Sequence, residues 1–220
     1  SIVWNWDPTL VMLGNLDIRW YGLMWAIAIL AAERVCNYTF RYEGLPPRTL
    51  ESAFIWIVLG TFIGARVGHC IFYEPETYLP EPGRIITDIR DGGMASHGAT
   101  IGIIIGIWGF VKRNHLPFIW GLDRIAIVAP LSGAIIRLGN LFNSEIVGYP
   151  TDSALGFKFV YHDARRAWLE YAGEVPQEII DSIPARHPAQ LYEALCYLIT
   201  FGLIFWLYKS KDLGRRRPGF

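Results

Sequence analysis

Three polar blocks interrupt the long apolar runs of this 220-residue chain. "DGGMASHGATIG" (91–102) sets His97 between glycines, "RLGNLFNSEIVG" (137–148) carries Arg137, Asn140, Asn143, Ser144 and Glu145, and "RHPAQLYEAL" (186–195) carries His187, Gln190, Tyr192 and Glu193. An imidazole exchanges a proton near neutral pH. Arg137, Asn140 and Ser144 stand at i, i+3 and i+7, so a continuous helix through them presents a guanidinium, an amide and a hydroxyl on one stripe. Arginine keeps its charge, and its planar fork matches two oxygens of a phosphate at once. Arg66 and Arg137 together therefore suit a phospholipid headgroup, with His97 as a base beside it.

The elements that carry these groups are membrane helices. The chain is 52% hydrophobic, 15% aromatic and 18% charged, which is far from an ordinary soluble composition. Its basic and acidic residues balance at 20 each, so no overall charge points to nucleic acid. Crossing a bilayer takes about 20 apolar residues. The spacing predicts five such spans, at 20–35, 50–73, 94–111, 117–142 and 190–208. The fully apolar part of the third is short, and extending it back to 94 brings His97 inside the membrane's thickness or to its edge. Connections alternate basic, acidic, basic, acidic, basic along the chain, which predicts an extracytoplasmic N-terminus and a cytoplasmic first loop. The start of the chain lacks the basic and compact apolar regions of a cleavable signal. Residues 1–220 read as one all-α, multi-pass membrane domain, and the mixed-charge insert at 149–186 reads as a small extracytoplasmic cap.

In that orientation five helices bring their polar groups to one leaflet: Tyr21, then Arg66 with His69, then His97, then the Arg137 block, then the Gln190 block. A charge at membrane depth costs about 2.5–3.5 kcal/mol even on insertion scales, so a shared wet cavity explains the placement better than separate snorkelling. Gly60, Gly64 and Gly68, like Gly98, Gly102 and Gly106, form spacing-four ladders suited to close helix packing. Trp4, Trp6, Trp20, Tyr21, Trp168 and Tyr171 fit an interfacial belt. Cys36, Cys70 and Cys196 read as small apolar residues, with neither a disulfide framework nor a metal-ligand spacing.

The three blocks, with "IRWYGLMWA" near the start and "GARVGH" in the second span, resemble the prolipoprotein diacylglyceryl transferases of bacterial inner membranes across nearly the whole chain. The resemblance implies transfer of the diacylglyceryl group from phosphatidylglycerol to the lipobox cysteine of an exported prolipoprotein, which binds through its signal peptide, with release of glycerol phosphate and with no metal or organic cofactor. It implies catalytic roles for His97, Arg137 and Tyr21, and substrate contacts for Arg66, Gly98, Asn140, Asn143, Glu145, Gly148, His187, Gln190 and Glu193. Ile136 stands where the family has glycine and Leu141 where it has phenylalanine, and neither change removes a functional group. The family has seven spans, so the resemblance places two more after 220, with a further arginine. A transporter or channel for a small anionic solute is the competing class; it calls for polar residues in both leaflets, broken helices and inverted repeats.

Overall fold

The computed structural model describes residues 1–14, 16–88, 93 and 95–211. Gly92 and Met94 of the histidine block, Arg90 and Asp91 before them and the basic tail at 215–217 lie outside the described residues. In chain order the elements are β1 (Ile2–Trp4), β2 (Thr9–Leu13), β3 (Leu16–Arg19), α1 (Trp20–Tyr42), α2 (Pro47–Phe72), α3 (Pro75–Tyr78) and α4 (Arg84–Thr87). They continue with α5 (Ser96–Arg113), α6 (Phe118–Phe142), β4 (Phe157–Phe159), α7 (Val160–Asp163), α8 (Arg165–Glu170), α9 (Gln177–Ser182) and α10 (Ala189–Lys211). The protein is mostly helical, and three described helices are long and apolar enough to cross a bilayer: Pro47–Phe72, Phe118–Phe142 and Ala189–Ser210. α1 and α5 are not among them. α1 carries Glu33, Arg34 and Arg41, and α5 opens on Ser96 and His97 and closes on Lys112 and Arg113, which shortens its apolar interior.

The chain divides into two compact units, Ser1–Ala32 with Ile127–Trp206, and Glu33–Ala126 with Leu207–Phe220. In the first, β1 pairs in parallel with β4, Ile2 opposite Phe157 and Trp4 opposite Phe159. β2 and β3 form a hairpin turned at Gly14, whose φ of +62° is one that glycine adopts without strain. Three of the tryptophans expected at an interface pack on one another and on the end of α6: Trp20 stacks on Phe142 at 5.0 Å between ring centroids, Trp6 lies 5.4 Å from Phe142, and the Trp4 indole N–H donates to the Leu141 carbonyl at 3.1 Å. The insert has a small apolar centre of its own, Val160, Val175, Ile180 and Ile183. Arg186 ties it to the approach of α10 through a two-pronged bond to Asp163 at 2.7–3.1 Å, which raises the guanidinium pKa, and through paired backbone bonds with Phe157.

In the second unit α2 and α5 meet along the two glycine ladders. A Cβ added at Gly68 would come 2.6 Å from the Gly98 Cα, and one added at Gly64 would come 2.7 Å from the Gly102 Cα. Only residues without side chains permit that approach, and the gain is close backbone contact where lipid removes the hydrophobic drive between helices. This unit also holds a buried ion pair. Glu43, after α1, accepts from Arg124 Nε at 3.0 Å and Nη2 at 2.5 Å, from the Trp120 indole N–H at 2.7 Å and from the Tyr208 hydroxyl at 2.5 Å. An aromatic core of Phe40, Phe110 and Trp120 adjoins it.

Candidate functional site

α6 runs without interruption from Phe118 past Pro130 to Phe142 and then stops. The stop is a Schellman closure: the Ser144 N–H donates to the Leu141 carbonyl at 3.0 Å and the Glu145 N–H to the Asn140 carbonyl at 2.9 Å, with Ser144 left-handed at φ +52°. Ser144 therefore does not continue the helical stripe expected from i+7 spacing. It sits past the helix end, buried, in a conformation that usually takes glycine. Ile146 follows at φ +55°, a position that a β-branched residue holds only under constraint, at a cost of about 1–3 kcal/mol. Strain of this size persists where surrounding structure imposes it.

Around that turn the first unit gathers most of the expected side chains. The Arg137 Nε lies 2.5 Å from a Glu193 carboxylate oxygen, and its Nη1 reaches Asn140 Oδ1 at 3.5 Å. Gln190, 1% exposed, donates from Nε2 to the Glu145 carbonyl at 2.6 Å. The Asn143 amide donates to Glu145 Oε1 at 3.3 Å. Gly148 lets the segment after the turn approach the start of α10: its N–H donates to the His187 carbonyl at 2.9 Å, and an added Cβ would sit 2.6 Å from that same oxygen. The His187 ring is 3.2 Å from the Tyr192 hydroxyl. Tyr21, at the start of α1, lies against Gly139, where an added Cβ would be 3.0 Å from the tyrosine ring. Asn143 Oδ1, Ser144 Oγ and Gln190 Oε1 are buried with no hydrogen-bond partner among the described residues. Native proteins rarely leave such atoms unmet, and three of them gather around this one turn.

Over residues 8–219 the chain matches the model of the prolipoprotein diacylglyceryl transferases. The chain belongs to the prolipoprotein diacylglyceryl transferase family. It is 41% identical over 220 residues to the phosphatidylglycerol–prolipoprotein diacylglyceryl transferase of Porphyromonas gingivalis, covering 99% of this chain and 74% of that protein. Proteins of the same name from Chloroherpeton thalassium and Tolumonas auensis are 39% and 40% identical, over 98% and 97% of this chain and 74% and 76% of theirs.

In this diacylglyceryl transferase family member the second unit holds the remaining expected residues. His97 is the second residue of α5, exposed, and its ring has no hydrogen-bond partner among the described residues. Its helix is fixed just ahead of it by the Ala95 N–H, which donates to the Ala65 carbonyl of α2 at 2.9 Å, and just after it by the close seat of Gly98 on α2. Arg66 is 5% exposed, and its fork faces the protein: Nε donates to the Ile85 carbonyl at 2.9 Å, Nη1 to the Gly93 carbonyl at 3.4 Å and Nη2 to the Tyr78 hydroxyl at 3.3 Å, with the Tyr78 ring 5.0 Å from the guanidinium carbon. In this arrangement Arg66 holds the segment leading into α5. Reading the sequence missed Glu43 as the anchor of the buried ion pair, and it missed Arg19, Tyr161, His162 and Arg165, which stand with Asn143, Ser144 and Glu145 around a cleft of about 140 Å³. The available signal was Arg19, a cation directly before the first apolar run.

Proposed function

We propose that this chain transfers the diacylglyceryl group of phosphatidylglycerol to a cysteine thiol of a prolipoprotein. The observation that carries this reading is family membership across residues 8–219 with the polar groups of all three blocks present. The His97 imidazole takes the proton of the acceptor thiol, since a thiol is mostly protonated at pH 7 and only the thiolate attacks well. Sulfur forms a bond to the glyceryl carbon as that carbon's bond to the phosphate oxygen breaks, and the leaving oxygen departs with the electron pair as glycerol phosphate. The His97 proton passes to that product or to water. Arg137 stabilises the charge that grows on the phosphate, with Glu193 and Asn140 fixing its orientation. Arg66 acts as a positioning residue for the segment that leads to His97. Tyr21, Asn140, Asn143, Glu145, Gly148, Gly98, His187 and Gln190 line or shape the substrate site.

The same reading assigns five bilayer spans with the N-terminus outside, the 149–186 insert as an extracytoplasmic cap, the inner membrane as location, and a signal peptide bearing a lipobox as acceptor. Incubating the protein in phosphatidylglycerol vesicles with a lipobox peptide tests it. A mass gain of one diacylglyceryl group on the peptide cysteine is expected, and an unmodified peptide in the presence of folded protein would overturn the reading.

A further inference from the structure

The second half of α1 carries a groove of about 430 Å³, lined by Arg34, Asn37, Tyr38, Arg41 and Tyr42. These positions stand at i, i+3, i+4, i+7 and i+8, so all five project from one face of the helix. The Tyr38 and Tyr42 rings stack at 6.2 Å with planes 10° apart, Tyr42 meets the Tyr208 ring edge-on at 5.9 Å, and the Lys209 ammonium lies 5.3 Å from the centre of the Tyr38 ring. All of these residues belong to the second unit. The transfer reaction uses none of them.

Positive charge at this groove is poorly matched from within. Arg34, whose side chain is 80% exposed, pairs loosely with Glu33 at 3.7 Å, and Arg41 is exposed with no ion pair among the described residues. The next acid along the chain, Glu43, is already closed on Arg124, Trp120 and Tyr208. An excess of cations is expected at the cytoplasmic end of any membrane helix, but that rule asks for charge alone and not for a groove walled by stacked tyrosines. The chemistry that fits is an anionic phosphate ester. Guanidinium groups pair with its oxygens, the Asn37 amide adds a neutral donor, and no carboxylate in the lining receives the ammonium of a zwitterionic headgroup. The volume lies within the 300–1,000 Å³ usual for small-ligand sites, and Arg34 and Arg41 stand about 10 Å apart along the axis, a gap that a headgroup between their side chains bridges. The apolar run of α1, 20–32, ends directly before Glu33, so the groove begins at the level where a bilayer lipid carries its phosphate.

We infer that this groove binds the headgroup of an anionic phospholipid of the surrounding bilayer, its phosphate oxygens on Arg34 and Arg41, as a lipid site separate from the Arg137 block. The inference rests on α1 being one of the proposed spans.

Thermal melts of the protein in detergent, with phosphatidic acid, phosphatidylethanolamine and inorganic phosphate as separate additions, test it. Phosphatidic acid is anionic and lacks the headgroup glycerol of the transfer donor. At a hundredfold excess over its dissociation constant it should raise the melting point by about 5–10 °C, and the other two additions should raise it by less than half as much. The pair Arg34→Gln and Arg41→Gln, read against its own lipid-free melt, should lose at least half of that rise. The pair Arg34→Lys and Arg41→Lys should keep most of it, and the pair Arg84→Gln and Arg166→Gln, which removes two exposed charges elsewhere, should keep all of it. A rise that survives the first pair, an equal loss in the Arg84 and Arg166 pair, or an equal rise from phosphatidylethanolamine or inorganic phosphate would overturn the inference. A bimane label at Leu30→Cys, 61% exposed on α1, with Cys36, Cys70 and Cys196 replaced by alanine, separates this from the span itself. Quenching by lipids brominated on their acyl chains without the lipid-dependent rise removes the groove alone, whereas an unquenched label removes α1 as a span and the groove with it.

Discussion

Two charged clusters in this protein are built in opposite ways. Around Glu43 four donor groups from Arg124, Trp120 and Tyr208 close on one carboxylate, and the Arg124 and Glu43 side chains are 2% and 7% exposed. Around Arg137 the ion pair to Glu193 is open, 25% and 40% exposed, and acceptor atoms of Asn143, Ser144 and Gln190 nearby have no partner among the described residues. A closed carboxylate cluster has nothing to offer a substrate and serves to hold helix ends in register. The Arg137 cluster keeps its ion pair open to solvent, so its guanidinium stays within reach of an incoming anion. Burial of a charge in a membrane protein is therefore a weak sign of function, and the partners decide which kind it is.

Variants should separate the two clusters. The largest effect is expected at His97. His97→Gln should reduce transfer by roughly 10²–10⁴-fold, the usual contribution of a proton-transfer group, while the melting temperature stays within error of the wild type. Peptide modification followed by mass spectrometry reads the first and a thermal melt in detergent the second. Near-normal turnover would remove the base assignment.

Glu43→Leu should do the reverse. Removing one partner of a buried pair destabilises by about 3–5 kcal/mol, because the arginine stays behind without its counter-charge. At about 2–4 °C per kcal/mol for a chain of this size, the melting point should drop by roughly 6–20 °C. The protein that remains folded should keep its transfer rate. Arg137→Lys comes next, with transfer lower by about 10–10²-fold, the worth of about 1.5–3 kcal/mol for a charge-assisted bond that a point charge does not reproduce, and with an unchanged melt. Full activity would contradict the phosphate role.

The smallest effect concerns the hairpin. The hydrogen bond from Arg19 holds the Asp17 carboxyl below its ordinary value of 3.8. A lowered carboxyl contributes stability above that value and loses it as pH falls through the depressed one. Because the group is partly exposed, Asp17→Asn should change the melting point little from pH 8 to 5, and the small difference from wild type should shrink as pH falls past 3.8 and vanish only below the lowered value.

Much of this was legible in the sequence, and the reasons are local. Hydropathy marks the long helices because lipid demands about 20 apolar residues in a row, and the glycine ladders mark faces for close helix packing because spacing four is one helix face, although only the structure shows that the two ladders meet each other. What stayed hidden depended on distant or backbone events. β1 pairs with β4 across more than 150 residues of chain. Ser144 reads as helical by spacing, yet it closes the helix in a left-handed turn that no side-chain pattern announces. Glu43 reads as an ordinary loop charge, because its partners lie at residues 120, 124 and 208. Arg66 reads as a phosphate ligand, because the carbonyls that occupy its fork carry no sequence signal.

The central claim is that Arg137, held by Glu193 and Asn140, receives the phosphate of the bound lipid. A structure of the protein with phosphatidylglycerol bound tests it most directly. The lipid phosphate is expected within hydrogen-bonding distance of the Arg137 guanidinium; a phosphate held elsewhere, with Arg137 still closed on Glu193 alone, would contradict it.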